Sequence, residues 1–372
     1  MRVLILCDKY LPVSEQFILY QVKALTQYQL YLFARKLAPG PGAAIKFEKR
    51  KVWYHNLFNR LRYKLFGKQN QYPGFIQQQL QQFVKSCEID LIYVHYGSTA
   101  VRYEDAITAL NLPVICAFHG FDASRKLNDP SYRQAILNLS KKITQMTVPS
   151  AFLKSKLAQA GIPQALITVL PYGTDLSSIK QIAPQRVTDQ LTIVHAGRLV
   201  AKKGVVDLLK VFLQLCKAHQ HIHLLIIGGG EDEEVLQKLA ATSEHKKRIH
   251  LLGPLEHQRL ISFVKGSDIF VLNSRESSLG ETEGLPNTII EAMAAKVPVV
   301  STRHSGIPEI ITDRNNGLLV EPKSNSELYA ALETLIHSKE LRDELAFNGS
   351  KFAEDNHSLN KMTQRIQTLI TF

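Results

Sequence analysis

The stretch Leu191-Thr192-Ile193-Val194-His195-Ala196-Gly197-Arg198-Leu199-Val200-Ala201-Lys202-Lys203-Gly204 leads straight into a helical pattern over residues 205–217. A short apolar run ending in glycine and then a helix is a strand–loop–helix unit. The run shows no alternation, so it suits a strand buried on both faces. The unit recurs downstream. His223-Leu224-Leu225-Ile226-Ile227 ends in Gly228-Gly229-Gly230 and an acidic-started helix. Ile269-Phe270-Val271-Leu272 and Val297-Pro298-Val299-Val300 are further short strands.

The first half repeats the pattern. Val3-Leu4-Ile5-Leu6-Cys7, Leu91-Ile92-Tyr93-Val94 and Val114-Ile115-Cys116-Ala117-Phe118 read as buried strands, with helical patterns over residues 17–25 and 75–86. Residues 172–184 lose periodicity and carry Gly, Asp, Ser and Pro, so a linker is expected there. Strands separated by helical stretches imply βαβ units. The expected fold is α/β, with two doubly wound domains facing across a cleft. The expected boundaries are 1–175, 176–355 and a C-terminal helix at 356–372 that returns to the first domain. Ligands of such sheets bind beyond the carboxyl ends of the strands.

The 372 residues are 45% apolar and 21% charged, which excludes a disordered chain, a collagen-like fibre and a small disulfide scaffold. No apolar run approaches the roughly 18–20 residues of a membrane span. Met1-Arg2 and the short run after it do not resemble a signal peptide. Cys7, Cys87, Cys116 and Cys216 form no CxxC pair, so a zinc site is not expected and a cytoplasmic setting is. The net charge of +12 is one-sided: residues 1–175 hold 22 Lys+Arg against 10 Asp+Glu, and the remainder holds 23 of each. Such asymmetry points to an anionic partner.

The triple glycine is a weak dinucleotide signal, because Glu233 stands where the fingerprint needs glycine. No phosphate loop and no Asp-x-Asp pair occur, so no metal-held diphosphate and no cofactor are expected. Two other segments carry more. Gly197 and Gly204 flank Arg198 and Lys203, which place two cations at the carboxyl edge of a sheet. A guanidinium fork and an ammonium are both phosphate binders. In Glu283-Gly284-Leu285-Pro286-Asn287-Thr288-Ile289-Ile290-Glu291, Pro286 suits the first turn of a helix. The amides near Asn287 and Thr288 would then make an anion site. Glu283 and Glu291 bracket it, where they can accept from sugar hydroxyls.

Together these segments resemble the retaining GT-B glycosyltransferases of glycosyltransferase family 4. The likeness is strongest over residues 193–321. Residues 12–18 and Phe118-His119-Gly120-Phe121-Asp122 are similar to the branch that builds bacterial exopolysaccharides, colanic-acid-type transferases among them. The resemblance implies two Rossmann-like domains. It implies that Glu291 holds the ribose, and that Glu283 with Gly284, Leu285 and the following amides contacts the donor sugar and its phosphate. Arg198 and Lys203 would neutralise the diphosphate. Gly253 and Leu255 would line the base, and His119 would sit over the sugar. Ser14, Glu15 and Asp122 would serve the acceptor. Family members often carry a glycine pair in the loop at residues 9–15, absent here. Lys296 stands where glycine is usual, at a left-handed helix end.

The implied reaction moves a hexose from a nucleotide diphosphate, UDP-glucose first and GDP-mannose as runner-up, to a hydroxyl of a glycan or lipid-diphosphate-linked acceptor. Configuration is retained and no metal is needed. Lys46, Lys49, Arg50, Lys51, Arg60, Arg62, Lys64 and Lys68 face one acid, Glu48, while Tyr54, Leu57, Phe58, Leu61 and Leu65 share a helical face beside Trp53. A basic amphipathic helix of this kind suits an anionic membrane surface at the inner face of the cell membrane. Core packing is the other reading of the stripe. An inactive nucleotide-sugar-binding protein and a nucleic-acid-binding protein are the alternatives from other classes. No base-reading motif is present, so no nucleic acid is expected.

Overall fold

The computed structural model describes residues 1–10, 16–37, 45–52, 72 and 74–371. It divides into two compact units, Met1–Tyr172 with Met362–Phe372, and Gly173–Lys361.

The first unit is built on seven parallel strands: β1 (Arg2–Tyr10), β2 (Gln29–Leu37), β3 (Lys49–Val52), β4 (Leu91–His95), β5 (Val114–Ala117), β6 (Gln145–Val148) and β7 (Ile167–Val169). Their order is β3-β2-β1-β4-β5-β6-β7. The second unit has six, β8 (Leu191–Ala196), β9 (Ile222–Ile227), β10 (Ile249–Gly253), β11 (Ile269–Leu272), β12 (Val299–Thr302) and β13 (Leu318–Val320), in the order β10-β9-β8-β11-β12-β13. Both orders reverse once, between β1 and β4 and between β8 and β11. The chain leaves neighbouring strands in opposite directions there, which opens a crevice at their carboxyl ends.

Burial explains the apolar runs. All five residues of β4 and all four of β11 are buried. Each unit has its own core. Leu4, Phe33, Tyr103 and Tyr132 anchor the first, and Ile193, Phe212, Leu224 and Leu332 the second. Phe212 is fully buried, so its truncation to alanine removes about 3–5 kcal/mol.

Several elements depart from the sequence reading. The expected linker contains a helix, Leu176–Gln181, started by the Asp175 carboxylate, which accepts from the Ser178 amide at 3.2 Å. Turn-type residues hid a cap. Lys49, Arg50 and Lys51 do not begin a helix. They form β3, paired parallel to β2 in the register Tyr31↔Lys49. Charged side chains are usual on such an edge strand, where they block further pairing. Residues 53–71, which carry the rest of the expected basic helix, lie outside the described residues. The C-terminal helix spans Leu359–Ile370.

Candidate active site

In the second unit, the loops after β8 and β11 converge at the reversal point. The β8 loop is shaped by backbone contacts. Gly204 has φ 63°, and a Cβ there would lie 2.1 Å from the Asn273 carbonyl. A Cβ on Gly228 would come within 1.8 Å of the Gly197 carbonyl. The triple glycine is therefore a close-packing device between two loops, not a dinucleotide cradle. A 3₁₀ turn at Ala201–Lys203 then points two lysines inward, and both are buried.

Lys203 Nζ lies 2.9 Å from Glu283 Oε1, to which the Ser274 hydroxyl also donates at 3.2 Å. Burial pushes the Glu283 carboxyl up, but the ammonium groups of Lys203 and Lys202 outweigh it and hold it at about 2. Lys202 donates to Glu281 at 2.6 Å, and Arg198 reaches the same carboxylate at 3.8 Å while staying largely exposed. Lys202 and Glu281 escaped the sequence reading, although Lys202 adjoins Lys203 and Glu281 stands two residues before Glu283. The loop is fastened from both sides. The Arg275 amide donates to the Lys202 carbonyl at 2.8 Å, the Thr302 hydroxyl to the Ser274 carbonyl at 2.5 Å, and Ser305 to the Glu283 carbonyl. His304, also missed, is buried near Glu283, and its Nε2 makes no hydrogen bond.

The helix Asn287–Ala294 follows. Pro286 occupies its N-cap position rather than its first turn, and no side chain caps it. The first intrahelical bond runs from the Ile289 amide to the Pro286 carbonyl. The Asn287 and Thr288 amides lie ahead of it, and the buried Asn287 Oδ1 and Thr288 Oγ1 have no partner. Unsatisfied buried groups beside an uncapped N-terminus make a site for an anionic, hydroxyl-bearing ligand. One turn on, Glu291 Oε1 accepts from His257 Nε2 at 2.9 Å. Burial works against the His257 imidazolium, but the hydrogen bond and charge of Glu291 raise its pKa overall. His257 begins the helix after Gly253-Pro254-Leu255, so this pair ties that turn to Glu291. Lys296 has φ 60°, the left-handed conformation expected of it.

The first unit holds a second group. His119 follows β5 and is buried among Phe17, Tyr96 and Tyr172, with ring centroids 4.5, 4.5 and 5.9 Å away. Its Nδ1 is 2.7 Å from the Tyr172 hydroxyl, and its buried Nε2 has no partner. Burial, with a smaller push from His95, holds the pKa well below 6.5, so the ring is neutral. When Tyr172 donates to Nδ1, Nε2 carries the proton and can donate to a ligand. Asp122 differs from its expected place on the acceptor. It is wholly buried, and its carboxylate accepts from the His119 and Gly97 amides at 2.7 Å each. It braces the His119 loop from behind. Ser14 and Glu15 lie outside the described residues. At the carboxyl ends of β1 and β2, Asp8 is held by Tyr72 and Arg102 and lies 3.7 Å from Arg35. The sequence reading did not single out Asp8, Arg35 or Arg102.

Comparison with known proteins bears directly on this pattern. Residues 178–352 match the model for "Glycosyl transferases group 1", and residues 15–178 match that for "Glycosyltransferase Family 4". The chain is 26% identical to a GDP-mannose-dependent monoacylated alpha-(1-6)-phosphatidylinositol monomannoside mannosyltransferase of Corynebacterium glutamicum, over 78% of each chain. It is 27% identical to the amylovoran biosynthesis glycosyltransferase AmsK of Erwinia amylovora, over 66% of this chain and 60% of that one. The crystal structure of HepE from Anabaena in complex with UDP superposes with a TM-score of 0.81, at 18% identity and full coverage of both chains. No described helix is long and apolar enough to cross a membrane. The fold is GT-B, and the chain is a glycosyltransferase that belongs to glycosyltransferase family 4.

Proposed function

We propose that this glycosyltransferase moves a hexose from a UDP-hexose, UDP-glucose first, to a hydroxyl of a glycan or lipid-diphosphate-linked acceptor, with retention and without a catalytic metal. The observation that carries the reading is the uncapped Asn287–Ala294 N-terminus beside Arg198, Lys202 and Lys203. The bond from the sugar C1 to the diphosphate oxygen breaks, and positive charge grows on the ring while negative charge grows on the leaving group. Donors fixed in advance at that position lower the barrier. The acceptor oxygen bonds C1 on the same face, and its proton passes to the departing phosphate oxygen. Glu283 is held ionised beside Lys203, so its part is to fix that lysine and accept from a sugar hydroxyl. Glu291 takes the ribose hydroxyls beside His257, and neutral His119 donates to a sugar hydroxyl. The HepE complexes with UDP and UDP-glucose support the choice of nucleotide.

The AmsK likeness supports exopolysaccharide assembly. An anionic acceptor suits the charge excess of residues 1–175, and we place the enzyme at the cytoplasmic membrane face on the same ground. A second reading, GDP-mannose as donor, is favoured by the Corynebacterium relative. A thermal-shift series with UDP, UDP-glucose, GDP and GDP-mannose decides. A nucleotide at 100 times its Kd stabilises by about 2.7 kcal/mol. UDP and UDP-glucose should raise the midpoint and GDP should not. A larger shift with GDP-mannose selects the second reading, and no shift with any of the four overturns the donor assignment.

A further inference from the structure

The opposite edge of the second unit's sheet carries a separate cluster. His219 lies between the helix Val205–Leu215 and the start of β9. Glu333 and His337 are four apart at the end of the helix Asn325–His337, and so share one face. The ligand-type atoms of all three lie within 4.8 Å of one another. The imidazoles of His219 and His337 meet edge to face, with centroids 5.1 Å apart. The His219 Nε2 is buried without a hydrogen bond and faces Glu333 Oε1 at 3.5 Å. Two helices end here, so their carbonyl ends add negative potential. The neighbouring cation, Arg248, directs its guanidinium to the His219 and Cys216 carbonyls and the His245 ring.

We propose that His219, Glu333 and His337 bind a divalent transition metal of the Zn²⁺ class. Two imidazole nitrogens and a carboxylate suit Zn²⁺, Co²⁺ or Ni²⁺ better than Mg²⁺ or Ca²⁺. With bonds of about 2.0–2.2 Å, tetrahedral ligands sit roughly 3.4 Å apart. The widest pair therefore closes by about 1–1.5 Å, a rotation available to half-exposed Glu333 and exposed His337. Water completes the shell. The site lies at the amino-terminal edge of the strands, whereas Lys203 and Glu283 follow carboxyl ends. Its metal is a staple between the helix Asn325–His337 and the loop that leads into β9, and takes no part in transfer. The absence of a CxxC pair did not exclude it, because its ligands are histidines and a glutamate distant in sequence.

The test is a calorimetric titration of tag-free, EDTA-stripped protein with Zn²⁺ near neutral pH, with thermal unfolding in parallel. Wild type should bind one equivalent and unfold at a higher temperature as Zn²⁺ rises. His219→Ala, Glu333→Gln and His337→Ala should each bind about tenfold more weakly or worse. His337→Ala changes an exposed side chain, so its metal-free midpoint should match wild type and vouch for its fold. The Co²⁺ form should lack thiolate charge-transfer absorption, which separates this site from the four buried cysteines. Uptake well short of one equivalent overturns the proposal. So does unchanged affinity in His337→Ala and Glu333→Gln, which would move the metal to another pair such as His223 and His250.

Discussion

Replacing Lys203 by alanine tests the site through its electrostatics. The ammonium lies 2.9 Å from Glu283 Oε1, and both residues are under 10% exposed. Removing one partner strands a buried carboxylate, which costs about 3–5 kcal/mol. For a unit of this size, that lowers the midpoint by roughly 6–20 °C. The acid limb gives an independent measure. Glu283 titrates at about 2 in the folded protein against an ordinary 4.5. A depressed carboxyl adds stability above its unfolded pKa, and that stability is lost as pH falls through the folded value. Wild type should therefore lose about 3 kcal/mol between pH 4.5 and pH 2 on account of this group. Lys203→Ala raises the carboxyl and should lose much less there. The assay is calorimetric unfolding of the second unit's transition at several pH values. The paired variant Lys203→Met with Glu283→Gln should regain most of the stability at neutral pH while sugar transfer stays lost. A Lys203→Ala protein within about 1 kcal/mol of wild type would refute the coupling.

Glu291→Ala should weaken free nucleoside diphosphate and its sugar conjugate alike, whereas Glu283→Gln should weaken mainly the conjugate; equal loss of free nucleotide in both, by calorimetry, contradicts the division of roles. Asp122→Ala should cost roughly 1–3 kcal/mol, because it leaves the His119 and Gly97 amides unpaired, and should cut transfer through a displaced His119; chemical denaturation and a rate assay read the two effects. Excess EDTA should leave the transfer rate unchanged, and a loss restored by Mg²⁺ or Mn²⁺ would show a catalytic metal. Protein should sediment with anionic vesicles and release partly with salt, since each basic group near the surface contributes about 1 kcal/mol; wild type remaining in the supernatant at low salt removes the membrane assignment.

Where burial on both faces set the pattern, the sequence was readable. The runs at residues 3–7, 191–196, 223–227 and 269–272 are inner strands of parallel sheets, and their shortness and flanking turn residues set them apart from buried helix segments. Outer strands were not readable. β3 is Lys-Arg-Lys-Val, and its charges follow from its edge position, which only the finished sheet defines. Of the site, Arg198, Lys203, Glu283 and Glu291 stood out because glycines and an uncapped helix surround them. Lys202 shares that glycine-flanked loop but nothing in the sequence sets it apart from Lys203, and Glu281, His257 and His304 carried no such mark. Their roles come from partners up to 79 residues away. Asp122 shows the converse, since a polar residue beside a candidate histidine is as well suited to bracing its backbone as to meeting a ligand.

The carboxylates of Glu281 and Glu283 already occupy the cations that the donor would use. If the donor binds there, those ion pairs would make the resting site selective. A stray chloride or monophosphate must compete with a built-in counter-ion at each of the two lysines. On the proposed donor assignment a diphosphate spans two phosphate groups and would also meet exposed Arg198, whose contact with Glu281 is the long one at 3.8 Å. On that assignment Arg198 would be the cation that changes partner, while Lys203 stays where Glu283 holds it at 2.9 Å. Discrimination among the abundant anions around the protein would then be set by how readily one arginine lets go.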